Sequence, residues 1–477
     1  WRRRISRSEW VVRLLRLPVS EGTENDPGLV LIQIDGLARH QFERAMREGR
    51  MPFLRKLIRR QNYRLHTFYS GLPSSTPAVQ AEEFYGVRCA VPAFSYFDRR
   101  CKRIFRMFNC EDAIEIEQRI AEKGTPLLKG GSSYSNVYTG GAEEAHFCAT
   151  TLGWSGFWTK GSPLALPLIL LLNFNMFLRT IGLSIVEFVL AFVDFVRGVN
   201  MGESFLKELK FIPARIGISV IARELGVIGA SIDVARGLPI IHINFLGYDE
   251  HSHRRGPSSE FAHWGLKGID GAIRRILNAA QRSQRRHYDV WVFSDHGQED
   301  TVSYVRLTGR TLSEAVAKIH DESAEFVADR NARADSEQLG RVRSLRWRGR
   351  RQPPESLPVT IIEGAEHPVV TAMGPLALVY WPSAIDDDAE KEAIARRFIE
   401  DAQVPIVMTR TSDDRIVAWN RKGRWSLPED IAQVIGAHHP MLDDVAEDLM
   451  CLVRHENAGV FVLSGWRYDD DPISFPD

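Results

Sequence analysis

The chain has 477 residues, with 61 basic and 61 acidic side chains and a formal net charge of zero. Its apolar fraction of 44% is ordinary for a globular protein of this length and is sufficient for a large core. A neutral chain does not attract polyanions, so nucleic acid is not expected as a partner. Five cysteines without CxxC spacing exclude a disulfide scaffold and a zinc ribbon and favour a reducing compartment; a Cys101–Cys110 bridge has no support in the sequence.

Residues 1–27 form a basic arm and a polar linker, EGTENDPG. The pattern is typical of basic residues on the cytoplasmic side of a membrane span or of a solvated amphipathic arm, and both interpretations are open. The basic residues are Arg2, Arg3, Arg4, Arg7, Arg13 and Arg16.

The core begins with residues 28–160. The apolar run from Leu29 to Ile34 predicts a buried strand that ends at Asp35, and helical periodicity follows from Arg39 to Arg60, as a βα unit requires. Taken alone, Asp35 is best explained as a cap on the next helix. The later string GGSSYSNVYTGGAEEAHF predicts a loop without assigned chemistry, because it lacks the lysine of a P-loop and the Rossmann glycine spacing.

Three hydroxyl side chains, Ser74, Ser75 and Thr76, precede Pro77 and a helical pattern that starts near Ala78. A hydroxyl at this position is usually an N-cap. The start of a helix also directs backbone N–H groups and the positive end of the helix dipole toward an anion. A hydroxyl that attacks a phosphate group would benefit from that environment.

An apolar insertion follows at residues 161–215. After a stretch without charge, Arg179, Glu187 and Asp194 recur at spacings of eight and seven, which places them on one stripe of a helix. Three interpretations are open, of which we prefer the first: a buried or dimer-forming helical hairpin, a cap on a membrane surface, or a membrane span.

Residues 216–310 return to the core with an apolar strand from Pro239 to Phe245. Asp249 and His253 follow at i and i+4, which puts both side chains on one face of a helical turn. His251 lies between them and points elsewhere.

A second strand, Val290 to Phe293, ends just before Asp295-His296 in the string VWVFSDHGQED. The carboxyl end of a core strand is where an open α/β sheet places its chemistry. Carboxylate and imidazole groups are good ligands for a zinc-like ion.

The remaining chain consists of a charged insertion, residues 311–360, and the C-terminal part of the core, residues 361–477. The insertion contains RVRSLRWRGRRQPPE, which predicts a solvated loop, with binding to anionic lipid or nucleic acid as the alternative. Apolar runs predict further strands at residues 376–381, 449–453 and 460–464.

The order of Asp35, the hydroxyl cluster, Asp249-x-x-x-His253 and Asp295-His296 resembles the alkaline phosphatase superfamily, in particular its type I phosphodiesterase/nucleotide pyrophosphatase branch. The resemblance covers residues 28–110 and 216–310. It implies an α/β fold, an alkaline phosphatase-like three-layer sandwich with a mostly parallel central sheet, to which the apolar helical insertion is added.

The same resemblance implies two divalent metal ions, Zn²⁺ or alternatively Mn²⁺. Asp35, Thr76, Asp295 and His296 would hold one ion, and Asp249 and His253 part of the other. The family's last histidine, normally followed by glycine, is not evident, and we expect it beyond Asp477. The late histidines, none of which precedes glycine, are His367, His438, His439 and His455.

Thr76 is implied as the nucleophile, because Pro73-Ser74-Ser75-Thr76 matches the family's segment without a gap; a shift of one residue would select Ser75 instead. The family's asparagine after the nucleophile is absent, and Gln80 is expected to contact the phosphate in its place.

The implied function is a metal-dependent phosphohydrolase, of phosphodiesterase type, acting on a phosphate ester. A membrane-associated phosphotransferase on lipid or glycan head groups and a degenerate, non-catalytic member of the superfamily are the alternatives. A membrane surface or a homodimer formed through residues 161–200 is the expected partner, and the sequence favours a membrane-associated or cytoplasmic location.

Overall fold

The computed structural model describes residues 6–23, 25–151, 174–200, 205–320, 367–382 and 384–476. The first part of the chain contains α1 (Arg7–Leu14), β1 (Pro27–Ile34), α2 (Arg39–Arg47), α3 (Pro52–Arg60), α4 (Thr76–Tyr85), β2 (Ser95–Asp98), β3 (Arg103–Arg106), α5 (Cys110–Ala121), β4 (Ser132–Tyr134) and β5 (Glu144–His146). The middle contains α6 (Phe174–Asn200), α7 (Phe205–Ile216), a π-helical segment (Gly217–Ala222), α8 (Arg223–Arg236), β6 (Ile240–Phe245), α9 (Gly247–Arg255), α10 (Glu260–Ala280) and β7 (His287–Phe293).

The last part contains β8 (Val302–Ser303), α11 (Tyr304–Thr308), α12 (Leu312–His320), β9 (Val369–Met373), β10 (Leu376–Tyr380), α13 (Asp388–Glu400), β11 (Ile406–Arg410), β12 (Ile416–Asn420), β13 (Gly423–Leu427), α14 (Ile431–Val434), α15 (Leu442–Arg454), β14 (Phe461–Ser464) and β15 (Ile473–Ser474). The string RVRSLRWRGRRQPPE and the uncharged start of the apolar insertion lie outside the described residues.

A five-stranded parallel sheet in the order β5-β4-β6-β1-β7 is the centre of the fold. Strand β1 lies between β6 and β7, with Leu29 opposite Ile240 on one side and Asp289 on the other. Because all five strands run in the same direction, their carboxyl ends share one edge of the sheet. The mostly parallel central sheet predicted from the sequence is confirmed.

Helices cover both faces of this sheet. Val30 and Ile32 of β1 point to a core shared with α2, α3, α8 and α10, while Leu31 points to a core shared with α4 and α5. Burial on both faces explains why β1 and β6 read as apolar runs rather than as alternating patterns.

A second sheet, antiparallel and six-stranded, has the order β13-β12-β11-β14-β10-β9. Leu378 of β10 faces the same core as α4, α5 and α15, whereas Ala377 and Val379 face a third core formed with α12 and α13. The C-terminal sheet therefore packs directly beside the face of the central sheet that is covered by α4 and α5.

The predicted strand at residues 449–453 is wrong, because these residues belong to helix α15. Val445, Leu449, Leu452 and Val453 are all buried, and their spacing is that of one helix face. The short apolar run resembles a strand only when the preceding turn of the helix is ignored.

The Gly/Ser-rich string predicted as a loop contributes two strands of the central sheet, β4 and β5. Gly131 shows why glycine is needed there, since a Cβ at this position would lie 2.1 Å from the carbonyl oxygen of Ile240. All five cysteines are free, so Cys101 and Cys110 are not bridged.

The described part of the basic arm is docked rather than solvated, because Val11 and Val12 of α1 pack against Ile232 of α8.

The loop that precedes α4 is held by the C-terminal part of the chain. Buried Asp448 of α15 accepts a hydrogen bond of 2.9 Å from the backbone N–H of Leu72, across a sequence separation of 376 residues. Asp448 also forms an ion pair with Arg88 at 2.8 Å.

A cap between helices gives a test of this packing. Asp270 of α10 accepts hydrogen bonds of 2.9 Å from the backbone N–H groups of Phe53 and Leu54, at the start of α3. The Asp270→Ala variant is expected to lose about 1–3 kcal/mol of unfolding free energy, because two N–H groups lose their acceptor. Urea denaturation measures the difference, and Asp469→Ala, a change at an exposed site, should stay within about 0.5 kcal/mol. Equal losses in both variants would contradict the cap.

Candidate metal centre

Acidic side chains and an imidazole meet at the carboxyl edge of the central sheet. Asp35 follows β1, Asp295 and His296 follow β7, and Asp249 lies in the first turn of α9 after β6. Ligand atoms of Asp35, Asp249 and His296 lie within 4.8 Å of one another, and all three residues are buried. The cluster forms because β6, β1 and β7 are adjacent and parallel, so that their ends coincide.

Thr76 is the first residue of α4 and lies against this cluster. Its Oγ1 donates a hydrogen bond of 3.2 Å to Asp35 Oδ1 and lies 3.3 Å from His296 Nε2. The hydroxyl of Ser75 is also buried, and it has no hydrogen-bond partner among the described residues. The structure therefore brings the hydroxyl of Thr76, and not that of Ser75, into contact with the predicted ligands.

A backbone contact orients the His296 ring, and the surrounding charges set its pKa. Its Nδ1 lies 3.0 Å from the carbonyl oxygen of Gly297, which suits a proton on Nδ1 and directs Nε2 toward Thr76 and Asp35. Burial lowers the pKa of this imidazole, but the carboxylates of Asp295, Asp249 and Asp35 outweigh burial and raise the pKa to about 9.

The charge balance of the cluster fits a cation. Several buried carboxylates close together are unfavourable unless a positive charge is shared among them. Asp295 Oδ2 is buried and has no hydrogen-bond partner among the described residues, although His296 Nε2 lies 3.6 Å away. Carboxylate oxygens with one imidazole nitrogen form a donor set that suits Zn²⁺, and also Mn²⁺.

Two polar residues that the sequence analysis missed hold the carboxylates. Asn244, the fifth residue of β6, donates a hydrogen bond of 2.9 Å to Asp35 Oδ2, and Gln298 donates to Asp249 Oδ1. A polar side chain at the end of a buried strand could have indicated Asn244. No sequence signal marks Gln298.

The backbone at Gly36 also belongs to the site. Its N–H donates a hydrogen bond of 3.3 Å to Asp295 Oδ1. Gly36 has a φ of +69°, and a Cβ would lie 2.4 Å from Asp249 Oδ1. Glycine is therefore required both for the conformation and for the approach of Asp249.

His253 lies one helical turn from Asp249, as the spacing predicted, with Nε2 at 3.4 Å from Asp249 Oδ2. Its side chain is 37% exposed, so it lies at the rim of the site. It does not belong to the close group formed by Asp35, Asp249 and His296. Asp249 thus faces both the buried cluster and the rim.

Gln80 is fully buried in the second turn of α4. It donates hydrogen bonds to Gln33 at 3.2 Å and Asn136 at 3.0 Å, and accepts one from the backbone N–H of Val137 at 2.8 Å. Both ends of the amide are thus engaged inside the protein, and the predicted phosphate contact of Gln80 stays a prediction.

The late histidines lie in other surroundings. The His439 ring packs edge-on against Trp466 at 5.7 Å, and the His367 ring lies 6.1 Å from that of His320. His455 accepts a hydrogen bond of 3.1 Å from the N–H of Asn457. None of the late histidines joins a group of three or more close ligand side chains within the described ranges, so the identity of the last ligand stays a prediction.

The comparisons with known proteins agree with the motifs. The sequence model of the family described as type I phosphodiesterase / nucleotide pyrophosphatase matches residues 239–345. That range contains Asp249, His253, Asp295 and His296. No curated protein matches the chain.

Two solved structures of phosphonoacetate hydrolase from Sinorhizobium meliloti 1021 are similar in shape. The complex with phosphonoformate is 12% identical, with a TM-score of 0.43, and the alignment covers 96% of this chain and 83% of that chain. The complex with phosphonoacetate has the same identity and coverage and a TM-score of 0.41.

The match over residues 239–345 contains the motifs that follow β6 and β7. The predicted resemblance is therefore confirmed over this range: residues 239–345 are similar to the type I phosphodiesterase / nucleotide pyrophosphatase family.

Proposed function

We propose that the protein is a metal-dependent phosphodiesterase with Thr76 as its nucleophile and two bound divalent ions. The observation that supports the proposal most directly is the contact of Thr76 Oγ1 with Asp35 at 3.2 Å and with His296 at 3.3 Å. A threonine hydroxyl is a weak nucleophile at neutral pH, and these neighbours are the groups that can activate it.

Asp35, Thr76, Asp295 and His296 would hold one ion, and Asp249 and His253 part of the other. Asp249 suits a position between the two, because it contacts His253 and also lies in the close cluster with Asp35 and His296. Divalent ions, when bound, lower the pKa of a hydroxyl and neutralise charge on the phosphate.

In the proposed reaction, Oγ1 of Thr76 attacks phosphorus and the ester oxygen leaves with its bonding electrons. The proton of Thr76 passes toward Asp35, which already accepts its hydrogen bond. The phosphate would lie at the start of α4, where the helix dipole favours negative charge. Water then hydrolyses the phosphothreonine and restores the hydroxyl.

A phosphotransferase on lipid or glycan head groups would use the same first step. An acceptor hydroxyl, instead of water, would then take the phosphoryl group from Thr76. The exposed apolar surface of α6 supports this second candidate, because it suits a membrane-bound substrate better than a water-soluble one. The non-catalytic alternative is disfavoured because the ligand cluster and the hydroxyl are brought together.

The nucleophile can be tested with adjacent substitutions. Thr76→Ala is expected to lower kcat by at least about 1,000-fold, because the attacking oxygen is removed. Ser75→Ala is the matched control, since its hydroxyl is equally buried, and it should retain activity within about threefold. Steady-state hydrolysis of bis(p-nitrophenyl) phosphate measures both variants. Loss of activity in Ser75→Ala with retention in Thr76→Ala would identify Ser75 instead.

The metal ligands can be tested without turnover. Asp295→Asn is expected to lower the metal content by about one ion per chain, because a buried anionic ligand becomes neutral. Asp289→Asn, an exposed position on the same strand, is the control and should keep the full content. Inductively coupled plasma mass spectrometry on dialysed protein gives the stoichiometry. Unchanged content in Asp295→Asn would remove Asp295 from the ligand set.

The reaction type can be tested on the full chain with bis(p-nitrophenyl) phosphate and p-nitrophenyl phosphate in parallel. We expect hydrolysis of the diester to exceed that of the monoester, to stop on chelation and to return with Zn²⁺ or Mn²⁺. Preference for the monoester would contradict the phosphodiesterase assignment. Absence of hydrolysis by metal-loaded protein, with phosphoryl transfer to an added alcohol, would select the transferase.

A further inference from the structure

Helix α6 exposes a long apolar surface. Within the described residues it is the one helix long and apolar enough to cross a membrane, with a mean hydropathy of 2.0 and only 11% of its most apolar window buried. Its exposed large apolar side chains are Phe174, Phe177, Leu178, Ile181, Ile185, Val186, Phe188, Val189, Phe192, Val193 and Val196. We call these side chains the outer face of α6.

The charged stripe of α6 points in the opposite direction, toward the core. Glu187 forms an ion pair with buried Arg215 of α7, and Asp194 forms one of 2.9 Å with Arg255 of α9. Both carboxylates are buried. This arrangement is the reverse of an ordinary surface helix, in which the charged stripe meets water and the apolar stripe meets the core.

The inward contacts show how α6 is oriented relative to the domain. Glu187 and Asp194 lie in the middle and second half of the helix, so the core packs along its length. A helix that crossed a bilayer in this arrangement would carry Arg215 and Arg255 into hydrocarbon, which is unfavourable. The geometry therefore corresponds to a helix that lies in the plane of a surface.

The composition of the outer face suits lipid better than protein. Between Arg179 and Arg197, every exposed residue of α6 is Ile, Val, Phe or Gly. A protein interface normally includes hydrogen-bonding groups and is only about 57% apolar, or about 65% apolar in a homodimer. Arg197 is itself exposed and lies near the C-terminal end of the helix, where it can reach lipid phosphates.

We propose that the outer face of α6 inserts into the boundary between head groups and acyl chains of a lipid bilayer, so that the protein is bound to one leaflet. The helix has 27 residues and is therefore about 40 Å long at 1.5 Å per residue, and it would lie flat, with its carboxylates on the protein side. The apolar surface continues from α6 onto α7 through Phe205, which is 56% exposed, and Leu209, which is 46% exposed.

Helix α9 connects this surface to the metal centre. Asp249 of α9 belongs to the cluster and His253 lies at its rim, while Arg255 pairs with Asp194 of α6. His251, on the same helix, contacts Ser219 at 3.0 Å. Binding to a bilayer would therefore orient the candidate metal centre relative to the lipid surface.

Flotation of the purified full chain with phosphatidylcholine vesicles tests the proposal. We expect the wild-type protein to float with the vesicles and the Val189→Glu/Phe192→Glu variant to float at least about tenfold less, because two charges enter the lipid-facing surface. Leu307→Glu, which adds one charge at an exposed leucine on α11, is the control and should float like the wild type. If circular dichroism shows that the double variant is unfolded, Val189→Glu alone replaces it.

Three results would overturn the proposal. The first is a wild-type protein that does not float and sediments as a monomer. The second is a dimer that does not float and that Val189→Glu/Phe192→Glu dissociates, since the occupant of the outer face is then a second copy. The third is equal flotation of the wild type and the folded variant, because another surface then binds the lipid. Flotation needs no turnover, so its outcome is separate from that of the proposed hydrolysis.

Discussion

Mutual repulsion of buried carboxylates is the constraint around which this structure is organised. Asp35, Asp249 and Asp295 lie at the ends or just beyond the ends of β1, β6 and β7, and the sheet order makes these three strands neighbours. Each carboxylate is held by a donor from a different part of the chain: Asn244 for Asp35, Gly36 for Asp295 and Gln298 for Asp249. Such support reduces the freedom of each ligand, but it does not remove the negative charge. The raised pKa of His296 reports the same excess of negative charge, and a divalent cation is the group that would balance it.

The same edge of the sheet also places the hydroxyl of Thr76, the proposed nucleophile. Helix α4 starts at Thr76, so the hydroxyl, the start of a helix and the carboxylate cluster coincide. Adjacent Ser75 is equally buried but does not share these contacts. On the far side of the cluster, α9 carries Asp249 and His253 toward the site and Arg255 toward α6. Helix α9 therefore contacts both the candidate metal centre and the helix that carries the apolar surface.

The meeting of Asp35, Asp249, Asp295 and His296 could be predicted because parallel strands end at one edge, and the strand ends are readable as apolar runs. The residues that support them could not, since Asn244 and Gln298 act through contacts that depend on the assembled sheet. The period of the charges on α6 predicted a single stripe, but not its direction. That direction is set by Arg215 and Arg255, whose positions relative to α6 follow only from the tertiary fold. The error at residues 449–453 has a local cause, because a run of five apolar residues fits either a strand or a helix.

The hydrogen bond from Leu72 to Asp448 has a consequence for the order in which the protein matures. All six predicted metal-binding residues occur by position 296, so a growing chain contains them long before α15 is synthesised. The loop that leads into Thr76, however, is anchored by Asp448, on a helix that ends at Arg454. A nascent chain can therefore bring these six residues together early, whereas the loop before Thr76 is anchored only after α15 has been synthesised and has folded against it.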